Sequence, residues 1–453
     1  MLFGSEQELQ DFCAGVIDVQ GDEVTVLDAA AVRGGWIDRL THNAVFADDE
    51  ALRDRCRWLI RTTGQELGAI LASIEEIYRA KGQGAYRNVA VPAINIRGLT
   101  YDVARAVLRA LAAVDGGPAL FEIARSEIGY TFQRPAEYGA CVMAAAIKEG
   151  YVGPLFIQGD HFQVNAKKHA ADPRAEIEVV KDLIREAIEA GFYNIDVDTS
   201  TLVDLSHDTL AEQQRLNYEV GAELTHWIRE LEPAGVTVSV GGEIGEVGKK
   251  NSTVEELRAY ADGLAAALGD VTGISKISVQ SGTSHGGVPL PDGSVAQVAL
   301  DFDVLRDCGA AAMEYGMAGA VQHGASTLPD EAFHRFAECD AAEVHLATGF
   351  QNIQYDGGLL PDELKTDIYA WIDRNLAGER KDGQTDEQFH YKTRKKGYGA
   401  FKSQWWGLSD EIREGMARML EEKFLFLFEQ MGMRGSRRLL DHVHATRVDI
   451  PAP

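Results

Sequence analysis

Three histidines of this sequence each follow a run of residues typical of a buried β-strand. Asp160 and His161 end the apolar run GPLFIQGDH, His285 follows ISKISVQSG, and His323 ends the run GAVQH. Taken singly, each histidine is better explained by a hydrogen-bonded or exposed side chain. Three imidazoles with one open position are, however, typical of catalytic zinc sites. We therefore expect the three histidines to bind one Zn²⁺, or another divalent cation, beside Asp160.

The segments that must bring these side chains together alternate between short β-like runs and longer amphipathic runs. The eight predicted strands span residues 88–96, 118–124, 153–160, 193–199, 236–245, 274–282, 319–324 and 342–348. Their number and spacing predict an α/β fold of the (β/α)8 (TIM barrel) class, whose active sites lie at the carboxyl ends of the strands. An open doubly wound sheet is the alternative, but neither a GxGxxG nor a GxxxxGK[ST] motif supports it.

Two extensions are predicted on either side of a catalytic barrel at residues 88–350. Residues 1–87 are expected to be mostly helical, and residues 351–453 are expected to form C-terminal helices with a solvated, Lys- and Arg-rich loop around TRKKG. Trp405, Trp406 and the run FLFLFEQM give the C-terminal extension apolar surface. These residues are candidates for a dimer interface, although ordinary core packing explains them equally well.

Composition restricts the partners and the compartment. The chain has 453 residues, 45% of them hydrophobic, and a formal net charge of −26, which opposes binding to nucleic acid or to an anionic membrane. No apolar run is long enough to span a bilayer, and the N-terminus lacks the pattern of a signal peptide. The five cysteines form no CxxC pair. Together these features predict a cytoplasmic protein with free thiols.

Small residues surround the second and third histidines, in SGTSHGG and QHGASTLPDEAF. Glycine allows the backbone to approach a ligand closely, and N–H groups at a strand-to-helix turn can bind an anion. The N–H groups of Gly324, Ala325 and Ser326 are therefore expected near a phosphate, which such barrels often bind after the seventh and eighth strands. Either glycine-rich stretch alone is equally well explained by a tight turn.

Taken together, these motifs resemble those of the class II, metal-dependent fructose- and tagatose-bisphosphate (ketose-bisphosphate) aldolases. GDH resembles the family's Asp-His pair, in which the aspartate is the acid/base and the histidine binds zinc, and GTSHG and HGAST resemble its two later histidine motifs. VPAINIRG resembles the first strand with its asparagine, here Asn95. STLVDLSHD, with Asp204, and GGEIGEVG, with Glu243, resemble segments whose carboxylates hold a second divalent ion in some members.

The resemblance implies reversible aldol cleavage of a phosphorylated ketose, similar to fructose 1,6-bisphosphate, into dihydroxyacetone phosphate and an aldehyde. A zinc ion would stabilise the enediolate as a Lewis acid, and Asp160 would move a proton to or from the hydroxyl of the cleaving bond, with no lysine Schiff base. A homo-oligomer, such as a dimer, and a monovalent cation are also implied. The expected substrate- and phosphate-binding residues are Ser126, Gly286, Gly324, Ala325, Ser326, His345 and Thr348.

The sequence departs from the family around the substrate. His345 lies where the family usually has an asparagine that contacts the enediolate, so it either replaces that asparagine or adds a ligand. HGAST replaces HGGSG, and Gln404 lies in the stretch where one family branch has an arginine for the distal phosphate. An aldehyde product without a phosphate is therefore an alternative. Two other functions also remain open, namely a metal-dependent sugar-phosphate epimerase or isomerase and a non-catalytic aldolase partner subunit on the same barrel.

Overall fold

The computed structural model of the chain describes residues 2–245, 250–282, 288–289, 295–296 and 300–453. Eight parallel strands form the central sheet, and each coincides with a strand predicted from the sequence. In chain order they are β1 (Val91–Asn95), β2 (Leu120–Ala124), β3 (Gly153–Gln163), β4 (Asn194–Asp198), β5 (Ser239–Gly245), β6 (Lys276–Val279), β7 (Ala320–Gln322) and β8 (Glu343–Leu346).

This sheet closes into a barrel. Each strand is hydrogen-bonded in parallel to the next one along the chain, from β1 to β8, and β8 pairs with β1. The predicted (β/α)8 fold is therefore confirmed. Because all eight strands run in the same direction, their carboxyl ends meet at one end of the barrel, where the sequence placed its chemistry.

Helices follow the strands and cover the outside of the barrel. In Pro173–Glu189, apolar residues recur at three- and four-residue spacing, and the Asp172 side chain caps the first turn by accepting a hydrogen bond from the Ala175 N–H. No helix within the described ranges is both long and apolar enough to cross a bilayer. The helices between β1 and the C-terminal extension are Thr100–Ala113, Arg125–Thr131, Pro135–Lys148, Ala166–Ala171, Pro173–Glu189, Leu210–Gln213, Arg215–Leu231, Val254–Leu268, Phe302–Glu314, His334–Glu338 and Thr348–Asp356.

The segment before β1 contains strands as well as the predicted helices. A hairpin pairs Ile17–Gln20 with Glu23–Val26, and a short strand, Ala69–Leu71, pairs in parallel with the start of β3. The amphipathic pattern alone would predict one long helix in this segment, and the short strand interrupts it. The N-terminal helices are Glu6–Cys13, Ala29–Ala31, Ile37–Phe46, Glu50–Glu66 and Glu75–Gly82.

The last of these helices packs against the amino end of the barrel. The fully buried Lys81 ammonium donates hydrogen bonds to the carbonyl oxygens of Val89 and Ala341, at 2.8 and 2.7 Å, just before β1 and β8. One turn earlier, the Tyr78 hydroxyl donates to the carboxylate of Glu343 inside the barrel. The N-terminal segment thus supplies polar partners to the barrel interior.

The C-terminal extension packs its apolar residues inward. Trp405 is 1% exposed, and its ring lies 5.3 Å from that of Tyr355 and 4.9 Å from that of Tyr398. Phe424, Leu427 and Phe428 are also buried. Of the two explanations offered by the sequence, core packing accounts for these four residues, whereas Trp406, Leu425 and Phe426 are only half-buried. The helices of this extension are Asp362–Asn375, Asp386–Thr393, Gly397–Ala400, Lys402–Trp406 and Asp410–Gln430.

The sequence suggested that the Lys- and Arg-rich segment is a solvated loop, but the structure shows that it is not. Arg394 is buried and bonds both carboxylate oxygens of Asp356, at 3.0 and 2.7 Å. Lys395 is half-buried and lines the large pocket at the carboxyl end of the barrel. That expectation was wrong because the segment forms short helices that pack on the barrel.

Replacing Trp405 with alanine is expected to destabilise the protein. The substitution leaves a cavity between Tyr355 and Tyr398, and truncation of a buried tryptophan costs about 3–5 kcal/mol of unfolding free energy. Urea denaturation measures the loss. The half-buried neighbour Trp406 is the matched control, since its truncation should cost clearly less. Equal losses for the two variants would contradict the view that Trp405 anchors the extension.

Candidate active site

A pocket of about 630 Å³ opens at the carboxyl end of the barrel, and both Asp160 and His161 line it. Neighbouring residues of a regular strand point to opposite faces. Here the register between β3 and β4 shifts between Gly159 and Phe162, and His161 has a left-handed backbone with a φ of +42°. This irregularity lets two consecutive side chains face the same pocket, and left-handed non-glycine residues are concentrated at functional sites.

Two of the three predicted metal ligands meet in this pocket. The ring centres of His161 and His323 are 4.3 Å apart. His161 Nε2 and His323 Nδ1 both face Asp160, at 3.8 and 4.0 Å from its Oδ1 atom. The third predicted ligand, His285, lies outside the described residues.

In each of these two rings, the nitrogen that does not face Asp160 lies close to another polar side chain. His161 Nδ1 lies 3.2 Å from Asp198 Oδ2 and 3.2 Å from Glu243 Oε2, while His323 Nε2 lies 2.8 Å from Ser278 Oγ. Metal-binding histidines usually use one nitrogen for the metal and bond the other to a carboxylate or another polar group. The surroundings of both rings match this arrangement.

The donor set fits a divalent cation. Asp160, His161 and His323 offer ligand atoms that all lie within 4.8 Å of one another. Burial alone would lower the pKa of His161, but the carboxylates of Asp160 and Glu243 raise it well above its usual value. Burial, together with the charge of Asp198, raises the pKa of Glu243 to about 7. Several carboxylates around one imidazole favour the binding of a cation.

The carboxylate that meets Glu243 is Asp198 rather than Asp204. Asp204 lies in an exposed turn, where it accepts a hydrogen bond from the Ser206 N–H and lies 3.7 Å from His207. Asp198 is buried at the end of β4, and with His161 and Glu243 it forms a second group of potential metal ligands. The structure thus brings Glu243 to the site and leaves Asp204 outside it.

Most of the predicted phosphate-binding residues line the pocket, namely Ser126, Gly324, Ser326, His345 and Thr348. Ala325 is fully buried beneath the turn after β7, and Gly286 lies outside the described residues. A hydrogen bond joins the segments that follow β7 and β8, since the Ser326 hydroxyl accepts from the Gly349 N–H at 3.0 Å. Gly324 has a φ of +69°, a conformation that glycine adopts without strain.

Replacing Gly349 with alanine is expected to disturb this pair of turns. An added Cβ would lie 2.4 Å from the carbonyl oxygen of Ser326, so the backbone must move. Because small displacements of binding groups cost about 10- to 100-fold in rate, kcat/KM for the phosphorylated ketose that the family resemblance implies should fall by such a factor. Gly378→Ala is the control, since nothing lies within 4 Å of its Cβ position. Wild-type kinetics for Gly349→Ala would show that these turns do not bind substrate.

A buried cation lies beneath the pocket, inside the barrel. Lys276 of β6 is 1% exposed, and its Nζ lies 2.6 Å from Glu343, 2.9 Å from Asp196 and 2.7 Å from Gln158 Oε1. Burial alone would lower the pKa of Lys276, but Asp196 and Glu343 raise it above its usual value. A charged ammonium between two carboxylates is a poor nucleophile, because a Schiff base requires the neutral amine.

His345 connects this buried group to the pocket. Its ring stacks on that of His323 with a centroid distance of 3.9 Å. His345 Nε2 lies 2.6 Å from Glu343 Oε1, and Nδ1 lies 3.3 Å from Asp160 Oδ1 and 3.0 Å from Glu122 Oε2. The pKa of His345, which burial alone would lower, is raised well above its usual value by these carboxylates.

The buried charges and the cations that line the pocket were not predicted from the sequence. A signal was present, because charged residues interrupt otherwise apolar strands in LFEIA, NIDVD, KISV and EVHL. In a barrel, inward-pointing residues recur at every second position. The unassigned residues are the buried Glu122, Asp196, Lys276 and Glu343, and the pocket-lining Arg97, Arg125, Lys168 and Lys395.

Comparisons with known proteins complete these observations. The family model described as "Fructose-bisphosphate aldolase class-II" matches residues 77–424. None of the curated proteins compared with the chain matches it.

Comparison with solved structures finds similar chains at low sequence identity. The structure of a probable tagatose 6 phosphate kinase from Sinorhizobium meliloti 1021 has a TM-score of 0.54 at 17% identity and covers 78% of this chain and 97% of its own. The YdjI aldolase from Escherichia coli K12 has a TM-score of 0.46 at 14% identity, with 81% and 100% covered. The fructose-bisphosphate aldolase from Campylobacter jejuni has a TM-score of 0.46 at 18% identity, with 82% and 97% covered.

Proposed function

Since the chain belongs to the class II fructose-bisphosphate aldolase family and is therefore a carbon–carbon lyase, we propose that it reversibly cleaves a phosphorylated ketose into dihydroxyacetone phosphate and an aldehyde. In this proposal the enzyme is zinc-dependent, and its substrate is similar to fructose 1,6-bisphosphate. The observation that carries this proposal is the convergence of His161, His323 and Asp160 at the carboxyl end of the barrel.

Each residue of the site has a role in this proposal. His161 and His323, with His285 as the third ligand, hold a divalent cation, which supplies Lewis-acid stabilisation of enediolate charge. In the cleavage direction, the Asp160 carboxylate accepts the proton of the hydroxyl on the carbon that becomes the aldehyde, and in condensation it returns that proton. Asp198 and Glu243 orient His161 through its Nδ1 atom.

The pocket offers two kinds of group that bind anions. Ser326, Gly324 and Thr348 lie at the ends of β7 and β8, where hydroxyl and N–H groups can bind the phosphate of the dihydroxyacetone half. Cationic side chains line the same pocket in a protein of net charge −26, where they favour binding of anionic groups, and one of them, Arg97, donates a hydrogen bond to Thr348 Oγ1 at this end. These cations are Arg97, Arg125, Lys168 and Lys395.

The test is product analysis with fructose 1,6-bisphosphate and tagatose 1,6-bisphosphate as first substrates. We expect NMR spectra to show dihydroxyacetone phosphate and an aldehyde, and we expect chelation with EDTA to stop the reaction until Zn²⁺ is restored. An epimerised or isomerised sugar without a three-carbon fragment would contradict the aldolase reaction. Equal activity before and after chelation would contradict the metal requirement.

Three further properties are proposed from the sequence and its family resemblance. They are a homo-oligomeric state, a cytoplasmic location and stimulation by a monovalent cation. Of the apolar residues considered for a dimer interface, Trp405, Phe424, Leu427 and Phe428 are core residues of the chain, so they are not part of this proposal. Light scattering on the purified chain measures the oligomeric state, and a monomer would refute that part.

A further inference from the structure

A continuous series of charged side chains leads from the interior of the barrel to the pocket. It begins at Lys276, whose ammonium contacts both carboxylate oxygens of Glu343, at 2.6 and 2.7 Å. The Tyr78 hydroxyl and the Gln158 side-chain amide also donate hydrogen bonds to Glu343. With three polar partners and no solvent exposure, the Glu343 carboxylate is fixed in position.

The series continues through His345 to the acid/base. Glu343 Oε1 lies 2.6 Å from His345 Nε2, and His345 Nδ1 lies 3.3 Å from Asp160 Oδ1. The ring of His345 stacks on that of His323, and in this position both of its nitrogens face carboxylates. Lys276 is therefore linked to Asp160 through two intervening side chains, although it does not line the pocket itself.

We propose that Lys276 is a positioning residue for the aldol reaction: its ammonium fixes Glu343, Glu343 fixes the ring of His345, and that ring holds the Asp160 carboxylate in its reactive direction. This inference rests on the proposed function and adds to it a residue that touches neither substrate nor metal. The same geometry gives His345 the task of holding Asp160.

The electrostatics of the barrel interior support this role. Four carboxylates are buried in this region, namely those of Glu122, Asp160, Asp196 and Glu343. Like charges that lie close together in a medium of low dielectric constant repel one another strongly. Lys276 contacts two of the four carboxylates directly. Without its charge, the Glu343 and Asp196 side chains would separate or bind protons, and the ring of His345 would lose its fixed partner.

The same residues could be interpreted as a second metal site, because Glu122, Glu343 and His345 offer ligand atoms within 4.8 Å of one another. The ammonium of Lys276, however, already lies at hydrogen-bond distance from both oxygens of Glu343. A buried cation therefore already balances this carboxylate. We infer a positioning role rather than a second metal site for this group.

The experiment compares Lys276→Met with Lys81→Met. Lys81 is an equally buried lysine, but it bonds the carbonyl oxygens of Val89 and Ala341 at the amino end of the barrel. We expect Lys276→Met to lower kcat about 10- to 100-fold, with KM and bound zinc within twofold of wild type. Lys81→Met should lower the melting temperature without lowering kcat. Equal kcat losses in the two variants, or a wild-type kcat in Lys276→Met, would overturn the proposal.

A double variant separates positioning from a general structural effect. If Lys276 acts through Asp160, adding Lys276→Met to Asp160→Asn should not lower the residual kcat further, whereas independent effects would multiply. If Lys276→Met does not fold, Glu343→Gln provides the same comparison, since it keeps the shape of the side chain but removes the charge. If the losses in kcat from the two substitutions multiply in the double variant, the proposed link from Lys276 to Asp160 is refuted.

Two further results keep this inference distinct from the proposed function. If wild-type protein forms no dihydroxyacetone phosphate from any ketose phosphate tested, the proposed function fails. If wild-type protein is an active aldolase but Lys276→Met equals it, only the positioning role fails. Borohydride in the presence of dihydroxyacetone phosphate should leave wild-type activity intact, and inactivation with a label on Lys276 would overturn the proposal by showing a nucleophile.

Discussion

Asp160→Asn is expected to lower kcat for ketose cleavage by about 10³-fold while leaving the bound metal unchanged. Asparagine has the same shape as aspartate but cannot accept the hydroxyl proton, and loss of a general acid/base typically costs about 10²- to 10⁴-fold in rate. Asp160 is 6% exposed and lies between His161, His323 and His345, so its surroundings should keep the amide in place. Steady-state kinetics and metal analysis measure the two quantities.

The control for this variant is Asp303→Asn. Asp303 is an exposed aspartate in the helix that follows β6, where it pairs with Arg306, and its substitution should leave kcat within twofold of wild type. A kcat for Asp160→Asn close to that of wild type would assign the acid/base to another residue. A large loss of bound metal would instead show that Asp160 is a ligand, and the kinetic loss would then have a different cause.

His161→Ala is expected to remove both the metal and the activity. The substitution deletes one of the two described imidazoles of the metal group and leaves Asp198 and Glu243 without their shared partner. We expect less than about one tenth of the wild-type zinc content and a rate at least 10³-fold lower, in line with the dependence of class II chemistry on Lewis-acid stabilisation. Metal analysis after gel filtration and the product assay measure these losses.

The exposed His334, which pairs with Glu338 on a surface helix, supplies the matched control. His334→Ala should keep full zinc content and full rate. In metal-free wild type, the neighbouring carboxylates raise the pKa of His161, so a proton competes with the metal for the ring. Zinc affinity should therefore rise with pH, by up to tenfold per unit below the pKa, and a pH-independent affinity would contradict this.

Much of the fold was predictable because its signals are local. Apolar runs of strand length alternate with amphipathic runs of helix length, and eight such units leave the closed barrel as the natural arrangement. The convergence of Asp160, His161 and His323 followed from the barrel, since the carboxyl ends of parallel strands meet. The interruption of the N-terminal helix by Ala69–Leu71 was not predictable in this way, because that strand exists only through its pairing with β3.

The position of Asp204 outside the pocket has a similar cause. Both Asp198 and Asp204 lie near the end of β4, and similarity of motif favoured Asp204. The period of a strand, however, places Asn194, Asp196 and Asp198 on one face, and a turn carries Asp204 away into solvent. Periodicity within the strand was therefore a better guide to the site than motif similarity beyond its end.

By itself, the sequence determined the eight-fold alternation, the strand ends at which chemistry is placed and the two histidines that flank Asp160. These depend on residue type and on periodicity over about ten residues. Only the tertiary structure decided which charges are neighbours: Lys276 and Glu343 are 67 residues apart in the chain yet form a buried ion pair, and Lys395 reaches the pocket from the C-terminal extension. The physical reason is that partners for buried charges are selected by strand register and packing, which bring together residues that no local pattern relates.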